Sequence, residues 1–164
     1  MNHIEWLSKP IYLNAKLTDD EMLKIIFGDF LRLVHTPLNI FKQEVKVASN
    51  ENITIDSDRF KHFVEKGDKN LGDRFWDYER ATRIWWIKDV TINCTDSRLM
   101  IWKKQNGRYT RTHILLKHDR YLLVLENRNT YYFVVTAYYI HNTINLGYYV
   151  KEYRNYKKTQ IVNQ

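Results

Sequence analysis

YYFVVTAYYIH, Tyr131 to His141, is the stretch that decides how the fold is read. Its valines, Phe133 and its tyrosines are what a pleated sheet favours. In its middle stand a hydroxyl, a small residue and a phenol: Thr136, Ala137 and Tyr138. Side chains alternate across a strand. Phe133, Val135, Ala137 and Tyr139 are therefore expected to share one face, read as core. Tyr132, Val134, Thr136 and Tyr138 are expected to share the other, which turns polar at its end as a strand entering a site would.

Working back from this strand, RLMIWKK, RYTRTHILLK and RYLLVLEN read as three more strands. The connections QNG, HD and NRN are hairpin-length and turn-rich. Four adjacent strands with tight turns predict an antiparallel meander. Upstream, DRFWDYERATRIWWIKDVTIN predicts a helix with Phe75, Trp76, Ala81, Ile84, Trp85 and Ile87 as its stripe. ITIDSDRFKHFVEKG predicts another, with Asp56 or Ser57 as N-cap and Gly67 as the stop. GDKNLGD between them is a turn by composition. Further back, Thr18 and Glu21 form a capping-box pattern, and Met22, Leu23, Ile25, Ile26, Phe30, Leu33 and Val34 recur at helical spacing until Pro37. His35 at that helix end suits the dipole better than catalysis. FKQEVKVAS reads as a short strand or a loop, and INLGYYVKEYRNYKK as a short basic helix or a frayed end. Helices followed by a run of strands predict an α+β fold: N-terminal helices, then a four-stranded antiparallel meander. The expected division is an N-terminal helical extension over 1–50, packed on or preceding a domain over 51–164.

The chain has 164 residues and one cysteine, Cys94, so no internal disulfide forms and a reducing, cytoplasmic place of action is expected. MNHIEWLSKPIYL lacks the pattern of a secretory leader, and delivery from outside would need another route. No apolar run reaches the length of a membrane span. No zinc-ligand spacing is present and no cofactor is expected. Lys and Arg total 26 against 19 acids, giving +7. The excess concentrates between Arg98 and Arg120, where Lys103, Lys104, Arg108, Arg111 and Lys117 stand against Asp119 alone. Bases interleaved with aromatics suit phosphate backbones and base stacking. The plain alternative is a solvated basic face.

Several residues have the chemistry of a site. His62 and Lys66 sit at i and i+4 of a predicted helix and would point the same way. An imidazole can serve as general acid or base, and an ammonium beside it would stabilise phosphate charge. Arg111 and His113 share a strand face; Arg111 could fork onto a phosphate and His113 supply a second acid–base group. The Thr136 and Tyr138 hydroxyls could donate to a phosphate oxygen or orient a ribose. Arg83 is expected to pair with Glu79, and Arg80 to stack on Trp76. Each has a structural alternative, from a cross-strand solvent pair to a cap on a sheet edge. Scattered acids argue against a metal-dependent DNA nuclease. The inventory suits a metal-independent ribonuclease, in which the ribose 2′-hydroxyl is itself the nucleophile.

ERATRIWWIKDVTIN, IWKK, RYTRTHILLKHDRYLLVLE, YYFVVTAYYI and KEY together resemble the phage-associated branch of the BECR ribonuclease superfamily, which joins barnase, EndoU, the colicin E5/D nucleases and RelE. The likeness spans about residues 53 to 153. It implies one or two helices before a four-stranded antiparallel sheet, His62 and Lys66 on the helix, Thr136 and Tyr138 at the polar strand end, and Arg111 as the basic strand position. Where the family has a proline in a RIPWI-like segment this chain has Trp85, so the helix is expected to run on. The resemblance implies a toxin or phage-encoded effector that cleaves RNA, whether tRNA or messenger, to a 2′,3′-cyclic phosphate. Lys103, Lys104, Arg108, Lys117 and Arg80 are the expected RNA contacts. An immunity or antitoxin protein would be acidic and cover the Arg98–Arg120 face. The alternatives are a non-catalytic nucleic-acid-binding module, or a phage interaction protein with an aromatic partner surface.

Overall fold

Val124 pairs with Thr136 and Leu125 with Val134, so Val135 is an extra residue in the last strand of a β-meander. This bulge and the strands around it set the architecture of the computed structural model, which describes residues 4–49, 52–67 and 74–162. The fold is α+β. The meander runs β5 (Leu99–Asn106), β6 (Tyr109–Leu116), β7 (Tyr121–Asn127) and β8 (Tyr131–Tyr139), antiparallel throughout. Gly107 takes φ +57° in the β5–β6 turn, where a residue with a Cβ would be strained.

The sheet does not stop at four strands. β1 (Asn39–Ile40) and β2 (Gln43–Lys46) extend it, and β2 pairs in parallel with the start of β8, giving the six-stranded order β1-β2-β8-β7-β6-β5. The four-stranded, purely antiparallel expectation is corrected in this respect. Alternation within FKQEVKVAS is too short to announce a partner that lies far along the chain. β2 follows only Tyr131 to Phe133, which leaves the rest of that edge of β8 open. Arg59 covers the gap: it donates to the carbonyls of Val47 and Val134, and lies 4.5 Å from each of the Phe63 and Phe133 rings. Burial pulls its pKa down to about 10, so it stays charged at neutral pH.

The larger core lies under one sheet face. α1 (Asp19–Val34) starts at a complete Thr18–Glu21 capping box and buries Ile26, Phe30 and Leu33. These pack with Phe60 and Phe63 of α2 (Asp58–Val64), with Ile40 and Val45, and with Ile114, Leu123, Val134 and Ala137 of the meander. Residues 4–49 thus contribute a helix and two strands to the same sheet and core as the rest. The second face carries a smaller cluster of Trp102, Leu115, Leu122 and Val124 under α5 (Thr143–Val162), a longer helix than the tail suggested.

The bulge corrects the face assignment in β8. Before it, Tyr132 and Val134 point into the larger core while Phe133 is half-buried beneath Arg59 and Arg128. Val135 packs with the α5 cluster, and past the bulge Ala137 takes the core face. Simple alternation fails because the extra residue puts Val135 and Thr136 toward the same side.

The upstream helices are shorter than expected. Ser57 caps α2, but the helix ends at Val64, not at Gly67. Glu65–Gly67 forms β3, paired with β4 (Arg74–Trp76). Lys66 is therefore a strand residue opposite Phe75, and helical spacing from His62 no longer applies. Most of the GDKNLGD turn lies outside the described residues. The long helix expected over 73–93 is a strand and two short helices, α3 (Tyr78–Ala81) and α4 (Trp86–Ile92). Trp85 does not let the helix run on. Bonds from Arg83, Trp86 and Ile87 reach back three residues, to Arg80, Arg83 and Ile84, and tighten the chain between the two pieces.

Candidate active site at the end of the eighth strand

α3 is a single turn, and Asp77 holds it in place. The Asp77 carboxylate caps the turn by accepting the Arg80 N–H at 3.2 Å. Its own N–H donates to the Val64 carbonyl at 2.8 Å, tying α3 to the end of α2. From this turn Arg80 reaches the open edge of β8. It donates to the Glu65 carbonyl at 3.0 Å and to Thr136 Oγ1 at 2.8 Å, and its guanidinium lies 5.5 Å from the Tyr138 ring centre. Stacking on Trp76 was expected; the partner is Tyr138 instead.

Tyr138 supports the site with its ring, not its hydroxyl. Its Oη lies 2.5 Å from that of Tyr149 on α5. Burial pushes the phenol's pKa up and the bond to Tyr149 adds to this, so it is no proton acceptor near neutral pH. Thr136 accepts from Arg80 and keeps its own hydroxyl proton to donate. On the neighbouring face Arg83 pairs with Glu79 as the spacing suggested, and lies 5.0 Å from Trp86 and 4.8 Å from Tyr139.

One residue of the opening stretch received no role from the sequence and stands at this site. His141 Nε2 is 3.2 Å from both carboxylate oxygens of Asp77. The Asp77 side chain is 5% exposed and that of His141 45%. The only sequence hint was position, a histidine just past a strand whose end turns polar. Its partner is 64 residues away in the chain.

The other expected site residues lie elsewhere. His62 is half-buried in the last turn of α2, edge-on to Phe63 at 5.8 Å. Arg111 and His113 share a face as expected, but both are taken up by neighbours within the sheet. Arg111 donates to Glu126, a buried carboxylate that also binds Arg128. His113 stacks on Trp102 at 5.0 Å, and burial chiefly drives its pKa down to about 4. It is neutral at physiological pH and serves the packing.

The expected RNA contacts divide between the two ends of the sheet. Lys103 and Arg108 are exposed toward the β5–β6 turn. Lys104 there is held by Glu152 of α5, which raises its pKa. Lys117 lies at the opposite end of β6, roughly 24 Å away at about 3.4 Å per residue, at the same end of the sheet as the end of β8 but with β7 between them. Arg98 to Arg120 therefore forms no single face, because a hairpin sends its two halves to both ends. Among the described residues no three His, Cys, Asp or Glu converge as metal ligands, and no helix is long and apolar enough to cross a membrane.

Comparison with family models, with curated proteins and with solved structures gives no match.

Proposed function

We propose that the chain is a metal-independent endoribonuclease that cleaves RNA by attack of the ribose 2′-hydroxyl, with the α3–β8 junction as its active site. The observation that carries this reading is Arg80, fixed between Glu65, Thr136 and Tyr138 at an open strand edge. A guanidinium held this way is pre-organised for a phosphate, and fixed cations act on charge that grows in the transition state. The Thr136 hydroxyl is placed to donate to the same anion. Tyr78, at the start of α3, and Phe75 are exposed aromatics of the kind that stack on unpaired bases. Lys117 and Arg120 add positive charge at this end of the sheet.

The order of α2, α3 and α4 before the meander supports the BECR-like assignment; β1, β2 and α5 are additions to it. A role as toxin or phage effector acting on tRNA or messenger, with an acidic immunity or antitoxin partner, belongs to the same proposal. The runner-up is an RNA-binding module without catalysis, since Arg111 and His113 are absorbed by packing.

The test is cleavage of total tRNA and of a generic messenger in EDTA. Wild type should produce 2′,3′-cyclic phosphate and 5′-hydroxyl ends. Arg80→Ala should lose about 10²–10³ in rate, the usual cost of one transition-state donor. Salt-sensitive RNA binding without cleavage would refute the enzyme and favour the binding module.

A further inference from the structure

The expected acid–base groups leave the site without a clear proton acceptor, because His113 is stacked on Trp102 and held neutral, with β7 between it and Thr136. We propose that His141 is the general base of the ribonuclease reaction and that Asp77 is its positioning residue. This rests on the ribonuclease reading above and adds the group that moves the proton.

Three contacts fix His141 while leaving it accessible. Asp77 accepts from Nε2, which sets the tautomer: the proton sits on Nε2 and the Nδ1 lone pair is left to act as base. The Tyr139 ring stands edge-on to the imidazole at 5.1 Å. The backbone is clamped by Arg120, which donates to the carbonyls of Ile140 at 2.7 Å and His141 at 2.8 Å. Arg120 itself holds φ +54°, a conformation that a non-glycine residue keeps only where its surroundings over-determine it. A buried carboxylate holding a half-exposed imidazole is the arrangement that orients a base and stabilises the imidazolium it becomes.

Asp77 also couples the base to the phosphate site. The same Oδ1 that faces His141 accepts the backbone N–H of Arg80. One carboxylate thus holds both the imidazole and the backbone of the residue that carries the guanidinium. In the reaction Nδ1 takes the 2′-hydroxyl proton and the 2′ oxygen forms its bond to phosphorus. The bond from phosphorus to the 5′ oxygen breaks, its electron pair stays on that oxygen, and the oxygen takes a proton from solvent. The imidazolium returns its proton to solvent before the next turnover.

The experiment measures RNA cleavage in EDTA for wild type, His141→Ala and Asp77→Asn, with thermal melts of each. His141→Ala should lose about 10²–10⁴ in kcat/KM, and added imidazole should restore part of it. Asp77→Asn keeps a good cap for α3, so its melting temperature and KM should hold while kcat falls. If His141→Ala fails to fold, His141→Gln keeps an amide for Asp77 but no titrating nitrogen, and it should be equally inactive. Cleavage at the wild-type rate by folded His141→Ala or His141→Gln would overturn the assignment and leave the ribonuclease standing. Failure of wild type itself to cleave would overturn both.

Discussion

His113 lies within the meander and His141 just past its end, and they face opposite conditions. His113 is stacked on Trp102 beneath α5, where burial keeps it neutral. His141 stands past the end of β8, half-exposed and held by a buried carboxylate. The basic residues divide the same way. Arg111 is tied to Glu126 and Lys104 to Glu152, whereas Arg80 sits at an open strand edge beside a hydroxyl. Residue type is thus a poor guide to role here. What separates the two histidines is burial against Trp102 for one and exposure beside a buried carboxylate for the other.

The comparison can be broken most directly at Trp102. It is fully buried between the sheet and α5, with Tyr149 and Tyr153 each 6.3 Å away. Trp102→Ala should cost about 3–5 kcal/mol in urea unfolding, and an unchanged midpoint would mean that α5 does not seal this face. Arg80→Lys probes the other region. A lysine cannot fork between Glu65 and Thr136, so cleavage should stay depressed by at least about tenfold; full activity would show that only charge is needed.

A smaller effect is expected with pH. The His113 pKa lies near 4 in the folded chain against an ordinary 6.5, so the unfolded chain binds the extra proton between those values. Stability from this group is complete above about pH 6.5 and is lost as pH falls toward 4. His113→Phe should flatten the melting temperature across that window, and an unaltered acid slope would contradict the assignment. Smallest of all is Lys104→Ala. The Lys104 side chain is 52% exposed in its pair with Glu152, and the loss should stay below about 1 kcal/mol; a larger one would give that pair a part in holding α5.

Local chemistry made much of the fold legible. Thr18 and Glu21 announced α1, Asp56 or Ser57 marked the start of α2, and the turn residues delimited all four strands of the meander. What escaped the sequence depended on how strands pair. The parallel pairing of β2 with β8 joins residues far apart in the chain, whereas the bulge at Val135 and the strand that takes Lys66 out of the helix are set by the neighbouring strands β7 and β4. The site shows the same division. Arg80, Thr136 and Tyr138 could be singled out individually, yet their meeting at one edge could not. Asp77 and His141 had no mutual signal in the sequence, since a carboxylate that caps a helix and a histidine after a strand are ordinary when read apart.

The most direct test of this division is one cleavage assay in EDTA with wild type, Arg80→Ala and His113→Phe side by side. Wild type and His113→Phe should release the same 2′,3′-cyclic phosphate ends at similar rates, with Arg80→Ala slower by about 10²–10³. Full activity in Arg80→Ala together with loss in His113→Phe would place the chemistry under α5 and contradict the site described here.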